Sequence, residues 1–405
     1  MPDDTRDSAA TPPPETGPSG SALHAALKDY GVIALVLQGG GALGSYQGGV
    51  AQGLLEAGVE PNWVAGISIG ALNAAIIAGN PPQRRLERLR AFWDAICAPQ
   101  LLPASWAVQW PEAIVSRIDG WPRSLANAWD AARALLEGQP GFFRPRLPPY
   151  EVLFANGPAA ASFYDTAPLR ATLLEFADFE RINHGPMRVS VGAVNVGTGN
   201  FTYFDNRQMR LEPEHFMASG ALPPGFPAVE IDGEFYWDGG LVSNTPLSVI
   251  LDEHPRPDAL VFQVDLWSAG GTPPANVAEV ATRQKDIQYS SRTRMITELQ
   301  RRDQQLRKLL LDLVKLIPDE QHDHPARREA VRLACARRVN VQHLIYRDKP
   351  CESHYKDYQF GPATMREHWA SGLDDIRRAL ADPHRLDRPS ADKPFVTWDA
   401  DRKVV

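Results

Sequence analysis

Apolar and polar positions along this chain form blocks that repeat the order strand, glycine turn, helix. Val32–Leu37 is an unbroken apolar, β-branched run, the pattern of a strand buried on both faces of a parallel sheet. Three glycines, Gly39–Gly41, follow it, and helical spacing then runs from about Gly44 to Ala57. The order recurs: Trp63–Ala65 closes a second strand, Gly66-Ile67-Ser68-Ile69-Gly70 makes a sharp turn, and Ala71–Ala78 reads as an alanine-rich helix. Gln83–Ile96 carries Leu86, Leu89, Phe92, Trp93 and Ile96 at spacings of three and four, a helix covering the sheet. Asp165-Thr166 ahead of Pro168 starts another, predicted over Leu169–Phe179. Met187–Val196 and Asn200–Phe204 read as strands joined by the turn Gly197-Thr198-Gly199, and Ala259–Asp265 as a further buried strand.

Beyond Asp265 the pattern becomes mainly helical. Asn276–Ile317 is one long helical stretch or two, with Leu299, Leu306 and Leu313 at sevens and Ile296, Leu310 and Ile317 on a neighbouring line. Val339–Arg347 reads as one more strand and Pro362–Leu380 as an amphipathic helix. Strand–helix alternation followed by helices implies an α/β fold on a parallel sheet, with a mostly helical C-terminal extension.

The two glycine turns carry candidate chemistry. Glycine reaches backbone angles closed to other residues, so Gly39–Gly41 can turn free amides outward where a helix begins. The flanks of Ser68 are glycine because a serine on a strained strand-to-helix turn leaves no room beside it. Its alkoxide would be favoured by the helix N-terminus, and amides of the Gly39–Gly41 loop could receive an oxyanion. Each such donor is typically worth roughly 3 kcal/mol of barrier. Two other readings stand beside this one. Gly39, Gly41 and Gly44 also fit a dinucleotide G-x-G-x-x-G, although Glu60 precedes the second strand instead of ending it, and both turns could be ordinary ones. Asp238 ends the aromatic run Phe235-Tyr236-Trp237 before two glycines, which leaves a carboxylate at a strand end. Alone, Asp-Gly is most often a hairpin turn.

Taken together, Gly39-Gly40-Gly41-Ala42-Leu43-Gly44, Gly66-Ile67-Ser68-Ile69-Gly70 and Asp238-Gly239-Gly240 resemble the three motifs of the patatin-like phospholipases, in the same order. Ala218–Pro246 is similar to the family's segment almost position for position. The resemblance spans about Gly31–Leu380, and the stretch Ile345–Trp369 is similar to the C-terminal extension of one bacterial subgroup. It implies a three-layer α/β/α fold with a mainly parallel central sheet. It also implies a Ser-Asp dyad of Ser68 and Asp238, an oxyanion hole of Gly39, Gly40 and Gly41, and support from Gly44, Gly66, Gly70, Gly239 and Gly240. Asn244 would help orient the loop. No metal or cofactor is implied. An ordinary aspartate, with a pKa of about 3.9, is a poor base near neutrality, so the loop and helix N-terminus must ease serine ionisation. A Ser-Asp-His triad would instead need His254, His343 or His354, none of which sits in a glycine-marked site. His322 and His324 read as solvated loop.

The resemblance implies hydrolysis of phospholipid, lysophospholipid or neutral-lipid acyl esters. The alternatives are another ester, such as a hydroxyalkanoate, and a catalytically silent lipid- or granule-binding scaffold.

Composition adds limits. A formal charge of -7 gives no reason to expect a nucleic-acid partner. Cys97, Cys335 and Cys351 are odd in number and widely spaced, which fits a reducing compartment. Met1–Ser21 has neither a signal-peptide pattern nor an apolar face, and no run approaches a membrane span, so a cytoplasmic protein is expected. The chain divides into a disordered tail at 1–25, a catalytic domain at 30–270, a helical extension at 275–385 and a tail at 386–405. A Pro- and Trp-rich insertion at about 99–161 holds Trp106, Trp110, Trp121, Trp129, Phe142 and Phe143, rings suited to a lid or to a cap over the core. Arg283–Arg338 carries fourteen Lys or Arg against eight Asp or Glu. That segment reads either as a peripheral contact with an anionic membrane or as a solvated face of paired charges. Oligomeric state is not legible in the pattern.

Overall fold

A computed structural model describes residues 20–97, 130–146, 156–290, 293–321, 323–347, 352, 355–399 and 402–404. Its centre is β1 (Val32–Leu37), which pairs in parallel with β2 (Trp63–Gly66) on one side and β9 (Ala259–Asp265) on the other. Alternate β1 residues bury into different cores: Leu35 and Leu37 into one, Ala34 and Val36 into the other. That two-sided burial is why the run lacks polar alternation. The first core is formed with the helices Ser45–Glu56, Ile69–Ala78 and Pro82–Ile96, the second with the short helix Leu247–Leu251.

On the β2 side lies β5 (Arg188–Asn195), parallel to β2 and antiparallel to its hairpin partner β6 (Phe201–Asp205). Next comes β8 (Glu234–Asp238), antiparallel to β5, and then β7 (Val229–Ile231). On the β9 side the sheet continues through β10 (Val339–Ile345), β11 (Phe395–Asp399) and β12 (Arg402–Val404). A mixed, mainly parallel sheet of ten described strands is thus flanked by helices, with a helix-rich C-terminal region. A separate two-stranded ribbon joins β3 (Arg144–Pro145) to β4 (Tyr164–Asp165).

Several boundaries differ from the sequence expectations. The single helix predicted over Leu169–Phe179 is two, Ala167–Phe176 and Phe179–His184, because Ala177 is extended and Asp178 caps the second by accepting from the Glu180 and Arg181 amides. Residues 20–25, expected in a disordered tail, belong to the helix Gly20–Leu27, whose Leu23 and Leu27 bury in the main core. The 386–405 stretch, expected to be a tail, supplies β11 and β12: the exposed edge of β10 offers unpaired backbone groups, and this chain end satisfies them. Residues 1–19, the four tryptophans of the insertion, Cys351, His322 and His354 lie outside the described residues.

The C-terminal region packs closely on the body. Helix Pro362–Leu380 crosses helix Ser45–Glu56 at glycines: a Cβ on Gly49 would fall 1.9 Å from the Trp369 carbonyl, and one on Gly372 2.0 Å from that of Tyr46. The Asn276–Ile317 stretch forms two helices, Val277–Tyr289 and Thr293–Val314. Along the second, Arg301 pairs with Glu298, Arg307 with Asp303, and Asp312 with Lys308 and Lys315, while Leu299, Leu306, Leu309 and Leu313 are exposed. Among the described residues no helix is long and apolar enough to cross a membrane.

Candidate active site

The site lies where β1, β2 and β9 end at their carboxyl termini, the usual position for sites in open α/β sheets. Ser68 follows β2 and N-caps the helix Ile69–Ala78 with φ 54° and ψ −126°, left-handed backbone in a non-glycine residue. Such strain costs of order 1–3 kcal/mol and persists only where the surroundings over-determine it. Here they do. A Cβ on Gly66 would sit 2.4 Å from the Gly70 carbonyl oxygen, and one on Gly70 2.3 Å from that of Leu37. The Ser68 amide donates to Ser219 Oγ at 3.0 Å, and the Ser219 hydroxyl donates to the Gly192 carbonyl at 2.6 Å.

Strand register brings the carboxylate to this serine. Strand β6 pairs with residues 190–194 of β5, so β2, on residues 188–191, and β8, on 193–195, must share the opposite edge. The two lie end to end and run toward each other, and Ser68 leaves β2 where Asp238 ends β8. Gly239 packs on the gap, its Cβ position 2.7 Å from the Gly192 carbonyl. Asp238 is 3 % exposed. Burial pushes its carboxyl pKa up to about 7, against the pull of a hydrogen bond from the Gly240 amide, at 2.7 Å, and of the neighbouring Ser68 hydroxyl. The carboxyl that the sequence leads one to expect at about 3.9 is therefore shifted by desolvation to titrate near neutral pH.

The glycine loop closes the third side. Its first amide is engaged: Gly39 N–H donates to the Asn244 carbonyl at 3.3 Å, which corrects the expectation that Gly39 also supplies an oxyanion donor. The Gly39 carbonyl in turn accepts from Trp267 Nε1 at 2.9 Å and Asn244 Nδ2 at 3.1 Å. In a trans peptide the C=O and the following N–H point opposite ways, so this grip fixes the direction of the Gly40 amide. Gly41 has φ 55° and starts the short 3-10 turn Gly41–Gly44 that leads into the helix. Gly44 packs against the elbow helix, its Cβ position 2.5 Å from Ile69 Cγ1.

The resulting pocket, of about 70 Å³, is walled by Phe142, Phe143, Phe226 and Phe360, whose rings contact one another. The two described aromatic residues of the insertion that were expected in a lid or a cap thus stand beside Ser68. No histidine lines the pocket among the described residues. His343 pairs with buried Asp265 at 2.6 Å, His254 lies on the Asp252 carbonyl and His324 caps the helix Pro325–Leu333.

Sequence reasoning missed several contributors. Buried Gln38 ties the strand ends together, accepting from the Leu266 and Trp267 amides and donating to Thr245 and the Tyr289 carbonyl. Its place directly before the glycines was the available signal. Tyr289, Asp357 and Tyr358 line the pocket from the C-terminal region; nothing in their local sequence marks them, because only long-range packing brings them there.

Fold and site together define an α/β protein with a serine elbow facing a buried carboxylate under a glycine loop. The profile of the patatin-like phospholipases matches residues 35–251, more than half of the chain, and a second, described as patatin phospholipase, matches residues 287–392. This chain belongs to the patatin-like phospholipase family, whose members are lipid hydrolases. Among solved structures, VipD from Legionella pneumophila is similar at 16% identity and a TM-score of 0.38, over 87% of this chain and 67% of that one. Human GIVD cytosolic phospholipase A2 is similar at 13% identity and a TM-score of 0.31, over 60% of this chain and 45% of that one. No curated protein sequence matches significantly.

Proposed function

We propose that this protein is a serine acyl-ester hydrolase of the phospholipase A or lysophospholipase type, using a Ser68–Asp238 dyad. Asp238 accepts the Ser68 hydroxyl proton as Oγ attacks the ester carbonyl. The carbonyl oxygen becomes an oxyanion that the Gly40 and Gly41 amides receive. Protonated Asp238 returns its proton to the leaving alcohol as the C–O bond breaks, and an acyl-serine remains. Water, deprotonated by the same carboxylate, then releases the fatty acid and restores Ser68. The single observation that carries this reading is the buried Asp238 carboxyl, held against Ser68 with its pKa pushed to about 7. The aromatic wall suits an acyl chain.

The test is labelling with a fluorophosphonate, followed by a panel of phospholipids, lysophospholipids, neutral lipids and hydroxyalkanoate esters assayed for released acid. Labelling that is lost in Ser68→Ala, with acid release from a lipid, is expected. Folded wild-type protein that is not labelled would favour the silent scaffold instead. Peripheral contact with an anionic membrane is the accessory part of the reading, supported by the exposed leucines of Thr293–Val314 within a net-basic segment. It predicts liposome binding that needs anionic lipid and weakens with salt; binding indifferent to both removes it.

A further inference from the structure

The helix Val277–Tyr289 and the short turn Lys356–Tyr358 are joined crosswise by two ion pairs beside the glycine loop. Lys285 Nζ lies 2.6 Å from Asp357 Oδ1, and Lys356 Nζ lies 2.6 Å from Asp286 Oδ1. Lys356 is completely buried. Both ammonium groups approach the ring of Trp267, at 4.9 Å for Lys356 and 5.7 Å for Lys285. That same Trp267 donates its indole N–H to the Gly39 carbonyl. The turn also touches the loop directly: a Cβ on Gly41 would lie 2.3 Å from the Asp357 carbonyl oxygen. The helix ends at Tyr289, whose carbonyl accepts from both Asn244 and Gln38.

We propose that this crossed pair of ion pairs is a lock through which the C-terminal region, acting on Trp267, aims the Gly40 amide at the oxyanion. It rests on the hydrolase reading above and assigns Trp267, Lys285, Asp286, Lys356 and Asp357 as positioning residues. Charge order makes the lock specific. Because 285–286 reads Lys-Asp and 356–357 reads Lys-Asp, any slip that opposes 285 to 356 and 286 to 357 sets like charges together. Buried ion pairs contribute little net stability against apolar replacements, and their best-attested use is fixing register. A register device is what an oxyanion donor needs, since a displacement of about 1 Å can cost roughly a hundredfold in rate. Trp267 transmits the register, because its N–H grips the carbonyl end of the peptide whose other end is the Gly40 amide.

The test uses the full chain, a fluorophosphonate and a soluble short-chain p-nitrophenyl ester. Trp267→Phe keeps an aromatic ring, though a smaller one, and deletes the indole N–H; Lys285→Met breaks the more accessible pair, and Lys285→Arg restores its charge. End-point labelling counts competent sites, so kcat is expressed per labelled Ser68. For Trp267→Phe and Lys285→Met, kcat and phosphonylation rate per site are expected to fall about ten- to a hundredfold. KM should change less than about threefold, the pH midpoint of turnover should hold, and Lys285→Arg should recover most of the rate. A purely structural role would lower the labelled fraction and leave kcat per labelled site intact, which overturns the proposal. A rise in KM at constant kcat also overturns it, making these residues pocket wall. If wild type labels and both variants keep its rate, the lock alone falls; if wild type does not label, the hydrolase reading falls and the lock with it.

Discussion

Replacing Asp238 with asparagine should lower turnover by orders of magnitude and, above neutral pH, make the protein more stable. The side chain is almost the same size and keeps an oxygen to accept from the Gly240 amide, 2.7 Å away in the native site. What it removes is a buried charge. The Asp238 pKa stands at about 7 in the folded protein against an ordinary 3.8, and at about 1.36 kcal/mol per unit the difference is roughly 4 kcal/mol. The sign follows from proton binding. A raised acid pKa means that the folded state holds its proton more tightly than the unfolded chain. The cost of ionising it is absent below about pH 4, grows as pH rises toward 7, and is complete above that. Urea unfolding of wild type and Asp238→Asn should therefore coincide near pH 4. The variant should gain stability progressively to about pH 8, by up to roughly 4 kcal/mol, while turnover falls by about a hundredfold or more. A variant less stable than wild type at about pH 8, or a difference that does not change with pH, would refute the argument that desolvation of this carboxylate tunes the base.

The same shift predicts that kcat/KM rises with pH to a plateau, with its midpoint near 7; a midpoint near 4, read from a pH–rate profile with a soluble ester, would mean an unperturbed carboxylate. Ser219→Ala leaves the Ser68 amide without its acceptor, so stability should drop by about 1–3 kcal/mol with kcat falling alongside, measured by thermal melting and ester turnover. Gly70→Ala forces a Cβ to within 2.3 Å of the Leu37 carbonyl and should reduce soluble yield and lower the melting temperature, whereas the same change at solvent-open Gly58 strains the backbone, φ 71°, without meeting a neighbour and should cost less.

How much of this site could be read from the chain follows from the range of the forces involved. The two glycine turns were legible because close approach and left-handed backbone restrict residue choice locally: Gly66 and Gly70 stand where any Cβ collides. Asp238 was legible as a strand-end carboxylate beside two glycines, since turn chemistry is also local. The central strands were legible because two-sided burial erases polar alternation in Val32–Leu37 and in the first four residues of Ala259–Asp265. The terminal strand Phe395–Asp399 was not, being short and half-buried, with its partner β10 more than fifty positions upstream.

By itself, then, the amino-acid order determined the family motifs, the alternation that builds a parallel sheet and the identity of the serine and the carboxylate. Tertiary structure alone decided what those groups can do. Burial of Asp238, which no neighbour in sequence can impose, raised its carboxyl pKa to about 7. Pairing of the Gly39 amide with Asn244 removed one of three expected donors, and Trp267 with the crossed pairs of residues 285–286 and 356–357 put the C-terminal region in contact with the loop. The physical reason is the same in each case: desolvation and register are properties of groups brought together from distant parts of the chain, and sequence spacing encodes them only through the fold.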